Sequence, residues 1–190
     1  MKMEALGADF IAMPGHKGLL GPQGTGLLLC GRNIEPLICG GTGNQSVLQD
    51  MPEELPERGE AGTANVPGIW GLHAGLEYLL KLGVKNIGER EHRQAKYCAE
   101  GLKKLGFTVF SGNSQGGTVS FVPPFDCEEA ASRLANMEIA VRAGLHCAPL
   151  AHESAGTLET GTIRVSFGHD AAPWQTQKLL WAAEKLKMKS

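Results

Sequence analysis

The stretch Met13-Pro14-Gly15-His16-Lys17-Gly18-Leu19-Leu20-Gly21-Pro22 limits the folds open to this chain more than any other part of it. It lies between two short apolar runs, Phe10-Ile11-Ala12 and Leu27-Leu28-Leu29, and glycines at 15, 18, 21, 24 and 26 punctuate it. The pattern reads as strand, glycine-rich turn, strand, with strands over residues 8–13 and 24–30. Both runs are apolar without alternation, as in strands covered on both faces. Glycines at this density allow positive φ or a close backbone approach, at an entropic cost. A lysine placed among them has two readings. Either it is a solvated surface lysine, or its amine is held out of water. The second lowers a lysine from its usual value of about 10.4 and makes it a nucleophile able to form a Schiff base. Spacing alone favours the solvated turn, and the later parts of the chain reverse that.

With 190 residues, 42% hydrophobic and 20% charged, the chain has an ordinary globular composition and room for a sizeable core in one or two domains. A net charge of −2 leaves no basic surplus for nucleic acid or an anionic membrane. No apolar run approaches the roughly 20 residues that span a bilayer. Met1 to Ala5 lack the apolar core of a signal peptide. Cys30, Cys39, Cys98, Cys127 and Cys147 are odd in number and form no C-x-x-C pair, so no disulfide framework or zinc spacing is expected. A reducing cytoplasm fits, with most thiols acting as small buried hydrophobes. The chain reads from the tail of a helix (Glu4 to Gly7) straight into a strand, as the later part of a larger α/β unit would.

Gly40-Gly41-Thr42-Gly43-Asn44-Gln45 can be forced into a G-x-G start, but no third glycine or helix follows, so it is a weak dinucleotide fingerprint. Residues 44–66 hold Pro52 and Pro56 and few periodic hydrophobics, and read as a long functional or interfacial loop. Pro67 then opens a helix over 68–82, with Ile69, Leu72, Leu76, Leu79 and Leu80 at helical spacing and Gly83 as its stop. A second helix over 84–105 turns Ile87, Ala95, Cys98, Leu102 and Leu105 inward. Strands follow at 107–110 and 118–122. A helix over 126–137 comes next, with Asp126 as N-cap and Glu129 completing a capping box. Strands at 139–142 and 162–167 and a closing helix over 172–187 complete a small α+β sandwich. The domain boundary is expected near residue 100, giving domains over 1–100 and 101–190.

Between those last two strands lies Arg142-Ala143-Gly144-Leu145-His146-Cys147-Ala148-Pro149-Leu150-Ala151-His152. A cysteine next to a histidine and near an arginine is placed to be a reactive thiolate, since neighbouring positive charge lowers a thiol from about 8.5. The alternative is a half-buried cysteine packing a turn. His146, Cys147 and His152 are too loosely spaced for a metal centre, and none is expected. No G-x-S-x-G elbow marks a serine hydrolase. Arg164 sits mid-strand in Ile163-Arg164-Val165-Ser166-Phe167, and a buried arginine needs an anionic partner. A structural carboxylate and a substrate carboxylate fit its fork equally well.

Taken together these stretches resemble the class V aminotransferase superfamily. Asp9-Phe10-Ile11-Ala12, Gly15-His16-Lys17-Gly18 and Gly21-Pro22-Gln23-Gly24-Thr25-Gly26 are similar to its cofactor-lysine segment. Gly40-Gly41-Thr42-Gly43, Glu60-Ala61-Gly62-Thr63-Ala64-Asn65 and Arg142 to Pro149 are similar to its cysteine desulfurase and selenocysteine lyase branch, in the same order along the chain. The resemblance implies an α/β fold: part of a pyridoxal 5′-phosphate (PLP) transferase large domain, then the small α+β domain. It implies that Lys17 forms the Schiff base with PLP and moves the Cα proton, and that His16 helps hold the phosphate. Thr63 would reach the phosphate of the partner's cofactor in a homodimer. Arg164 would bind the substrate carboxylate and Arg142 would stand near the thiol loop. Cys147 would take sulfur from cysteine as a persulfide, releasing alanine and passing the sulfur to an acceptor protein. A selenocysteine lyase or another class V reaction, and a non-catalytic dimerising fragment without PLP, are the alternatives. Two departures bear on this. Pro14 stands where the family usually has a Ser or Thr hydroxyl for the phosphate. The family's upstream Asp, Gln and ring-stacking His find no match in these residues, so the chain alone is expected to be a poor or inactive enzyme.

Overall fold

The structure is a computed structural model and describes residues 2–43, 45 and 47–188; Asn44, in the glycine stretch and at the start of the expected loop, lies outside them. The chain divides into two compact units, Met1–Gly83 and Val84–Ser190.

In the first unit, a single helical turn, α1 (Met3–Leu6), ends on Gly7 in the left-handed region at φ 61°. Strands β1 (Phe10–Pro14) and β2 (Gly26–Cys30) then form an antiparallel hairpin, with Phe10 opposite Cys30 and Pro14 opposite Gly26. The expected hairpin is present, but its strands are not covered on both faces: Phe10, Leu28 and Leu29 are exposed. Among the described residues β1 and β2 pair only with each other. Helix α2 (Val66–Leu82) begins where Asn65 accepts a hydrogen bond from the Gly68 N–H at 3.1 Å, with Pro67 in its first turn, and stops at Gly83. The long loop before it is tied down by Arg58. Its Nε donates to the Ile34 carbonyl at 2.5 Å and its Nη2 to Glu35 at 2.8 Å.

The second unit runs through α3 (Val84–Lys104), β3 (Thr108–Phe110), β4 (Thr118–Val122), α4 (Cys127–Ala135), β5 (Arg142–Gly144), α5 (Pro149–Ser154), β6 (Thr162–Ser166) and α6 (Pro173–Met188). Its sheet has the order β3-β4-β6-β5 and is antiparallel throughout. Helices α3, α4 and α6 bury Cys98, Leu102, Leu134, Leu179 and Leu186 against Phe121, Ile163 and Val165 of the sheet, as the expected α+β sandwich requires. Asp126 caps α4 by accepting the Glu129 N–H at 2.9 Å.

Three expectations need correction. The division falls at Gly83, not near residue 100, because Ala95, Cys98, Ala99 and Leu102 commit α3 to the core of the second unit. The strand expected at 139–142 is instead Arg142–Gly144. Glu138 turns left-handed at φ 59°, the Ile139 N–H closes back on Leu134, and the chain joins β6 only at Arg142. Helix α5, inside the thiol loop, was not expected at all. No helix among the described residues is long and apolar enough to cross a membrane.

Candidate active site

Two places carry chemistry, one in each unit. In the first, the turn after β1 is closed by its own backbone. The Gly15 N–H donates to Thr25 O at 2.8 Å, and the Gly21 N–H to Gly15 O at 2.8 Å. A Cβ on Gly15 would stand 2.2 Å from the Thr25 hydroxyl oxygen, so glycine is required there. Helix α2 lies directly against the turn. A Cβ on Gly75 would meet the Leu19 carbonyl oxygen at 2.6 Å, and one on Gly71 the Pro22 ring at 3.1 Å. Sequence reasoning missed this second glycine face, although Gly68, Gly71 and Gly75 recur at helical spacing.

His16 and Lys17 are exposed at the head of this turn, and no hydrogen bond or ion pair engages the Lys17 amine among the described residues. Thr63 is exposed as well. It lines a cleft of about 560 Å³ with Gly24, Thr25, Gly26, Leu37 and Ile38, which brings Thr63 to the β2 end of the turn. Lys17 and His16 do not line that cleft.

In the second unit, Arg142 on β5 lies opposite Arg164 on β6, and Gly144 opposite Thr162. After Gly144 the chain passes through His146 and Cys147, both in the left-handed region, and enters α5 at Pro149. Cys147 is exposed, and Arg142 Nη2 donates toward its Sγ at 3.7 Å. His146 turns inward. Its Nε2 lies 3.0 Å from Thr162 Oγ1, and its Nδ1 is buried with no partner. Its ring is 5.7 Å from that of His152, which is buried and bonded to Thr157 at 2.8 Å. Burial holds the His146 imidazole below its usual value, helped by Arg164, His152 and Arg142, against the opposite pull of the Thr162 backbone. The positive charge that the geometry sets beside the thiol is that of Arg142.

Arg164 is half-buried, its Nε is enclosed without a partner, and no carboxylate pairs with it among the described residues. Two like charges directly opposite in an antiparallel pair destabilise the ladder. An anion held between them would remove that repulsion, and the fork of an arginine matches a carboxylate. An exposed thiol and an anion-seeking pair of guanidinium groups thus share one end of the sheet. The structure places Arg142 beside Cys147 and opposite Arg164, and adds Thr162, which the sequence did not single out.

The model of the aminotransferase class-V family matches residues 1–179. A probable cysteine desulfurase of Pyrococcus abyssi is 37% identical over 180 residues, spanning 87% of this chain and 43% of its own. The solved apo structure of a cysteine desulfurase from Thermococcus onnurineus NA1 superposes with a TM-score of 0.87 at 32% identity, covering 99% of this chain and 49% of its own. The cysteine desulfurase CsdA from Escherichia coli, in its S-sulfonic acid form, gives 0.86 at 29% identity, covering 98% of this chain and 48% of its own. The chain spans about half the length of these relatives.

Proposed function

The chain belongs to the class-V aminotransferase family, and from that premise we propose that it is the lysine- and thiol-bearing portion of a PLP-dependent cysteine desulfurase. The observation that carries the reading is the exposed Cys147 thiol beside Arg142, with Arg164 opposite Arg142 on the paired strand and no carboxylate pairing with it among the described residues.

The residues of the first unit fit their share of a PLP site. A lysine amine, an imidazole and a hydroxyl suit an aldehyde and a phosphate, and the Gly15 backbone packs where no Cβ would fit. Lys17 would hold the cofactor, with His16 and, across a homodimer, Thr63 of the other copy on its phosphate. PLP supplies an electron sink when bound. Lys17 Nζ would also move the proton of the substrate Cα. Arg164 and Arg142 would grip the substrate carboxylate and orient its sulfur toward Cys147. The Cys147 sulfur then attacks the substrate sulfur. The substrate C–S bond breaks, its electrons and a proton stay with carbon as alanine, and the sulfur remains on Cys147 as a persulfide. A sulfur-acceptor protein in the cytoplasm would take it from there.

The test is a single turnover of the 190-residue chain with PLP and L-cysteine, followed by peptide mass spectrometry. Since the family's upstream cofactor residues find no match in this chain, turnover is expected to be slow. The alanine that forms should be matched by one added sulfur on Cys147, and Cys147→Ser should give neither. Alanine formed equally by Cys147→Ser would overturn the role of the thiol. A chain that yields no alanine is not a desulfurase by itself.

A further inference from the structure

Cys147 does not rest in a relaxed backbone. His146 at φ 54° and Cys147 at φ 61° are consecutive side-chain-bearing residues in the left-handed region, which L residues leave unless the surroundings hold them there. Their turn is closed by its own backbone, the Ala148 N–H donating to the Leu145 carbonyl at 2.9 Å, and a side-chain contact on β6 ties it to the sheet. The His146 ring reaches Thr162 Oγ1 at 3.0 Å, while its Nδ1 is enclosed without a partner. Thr162 is 2% exposed and sits in the ladder opposite Gly144, two residues before His146. The ring therefore folds back over the start of its own loop and fastens it to the strand that carries Arg164. Facing it, the buried His152 packs its ring alongside and is itself fixed by Thr157. With the loop so held, Cys147 Sγ meets Arg142 Nη2.

We infer that His146 and Thr162 form a positioning pair that holds the Cys147 thiol against the Arg142 guanidinium. Neither touches the sulfur, so the pair acts through the loop. The inference rests on reading Cys147 as the reactive thiol of the proposed function. Its test needs neither cofactor nor substrate, so its failure is distinct from a failure of sulfur transfer.

Iodoacetamide alkylation of the native chain, read by peptide mass spectrometry, gives the rate at Cys147 relative to the exposed Cys39 in the other unit. Thr162→Val keeps the β-branched shape and removes the hydroxyl; Thr162→Ser returns it. The ratio should fall about fivefold in Thr162→Val, the effect of one lost hydrogen bond, and stay within about twofold of the parent in Thr162→Ser. His146→Leu should match the valine variant, and His146→Gln, which keeps a polar atom within reach of Thr162, should match the serine variant. If an exchange at 146 unfolds the unit, the pair at 162 decides alone. A ratio in Thr162→Val at or above that of the parent overturns the inference, as does a Thr162→Ser ratio as low as that of Thr162→Val.

Discussion

Arg164 illustrates what one residue type reveals. A guanidinium in an apolar strand demands an anion, and that much is legible in Ile163-Arg164-Val165 alone. Whether the anion is structural or a ligand depends on a neighbour set that strand pairing alone creates, and among the described residues no carboxylate is there to take it. Thr162 was not legible, because a buried threonine in a strand reads as a β-branched filler until a histidine sixteen positions earlier is seen to touch it. His146 was legible as chemistry but not in its role. Adjacency in sequence to Cys147 suggested a positive neighbour, whereas the left-handed turn directs the ring inward and away from the thiol. Its titration has a measurable consequence. The folded imidazole sits below the unfolded value of about 6.5, so in that window the unfolded chain binds the proton and the folded one does not. Stability should therefore fall as pH drops from about 7.5 to about 5.5. The Arg142, Arg164 and His152 groups that face the ring from β5, β6 and α5 reinforce the effect. Glu91, raised by burial, works in the opposite direction at lower pH. Urea midpoints at the two pH values check this, with a smaller difference expected in His146→Gln; an unchanged difference assigns the slope elsewhere.

The elements were mostly readable because their signals are local. Pro67 in a first turn, and Asp126 before Glu129, mark helix starts; the Asp126 cap is observed, and the structure adds Asn65 as the cap of the other helix. Elements set by long-range pairing were less readable. Strand β5 begins where the chain reaches β6, not where the hydrophobic run begins, and the covering of β1 and β2 could not be judged from their composition. The join between β5 and β6 depends on two glycines that pattern reading passes over. Gly161 has φ 63°, and a Cβ there would lie 3.0 Å from both Gly144 Cα and Cys127 Sγ. Gly161→Ala combines a left-handed penalty with backbone overlap and should destabilise the second unit by about 2 kcal/mol. A lowered denaturation midpoint with an unchanged m-value is the expected result, and an unshifted midpoint would show that the ladder end yields without strain.

For the molecule as a whole, the fold class was legible because six motifs follow one another in the family's order, while the division between units was not. Helix α3 looked like a connector, and only its buried face assigns it to the second core. The two units each bring one reactive group to the proposed chemistry, Lys17 in the first and Cys147 in the second, with the remaining thiols differing by environment. Cys98, fully enclosed, is pushed up to about 12 and is inert on this account. The proposed chemistry rests first on Lys17 as the lysine that takes PLP. The most direct measurement is to incubate the chain with PLP, reduce it with borohydride and map the modified lysine by peptide mass spectrometry. The account predicts a phosphopyridoxyl group on Lys17 in preference to every other lysine, and loss of that product in Lys17→Ala. Modification spread evenly over the surface lysines, or none at Lys17, would contradict it.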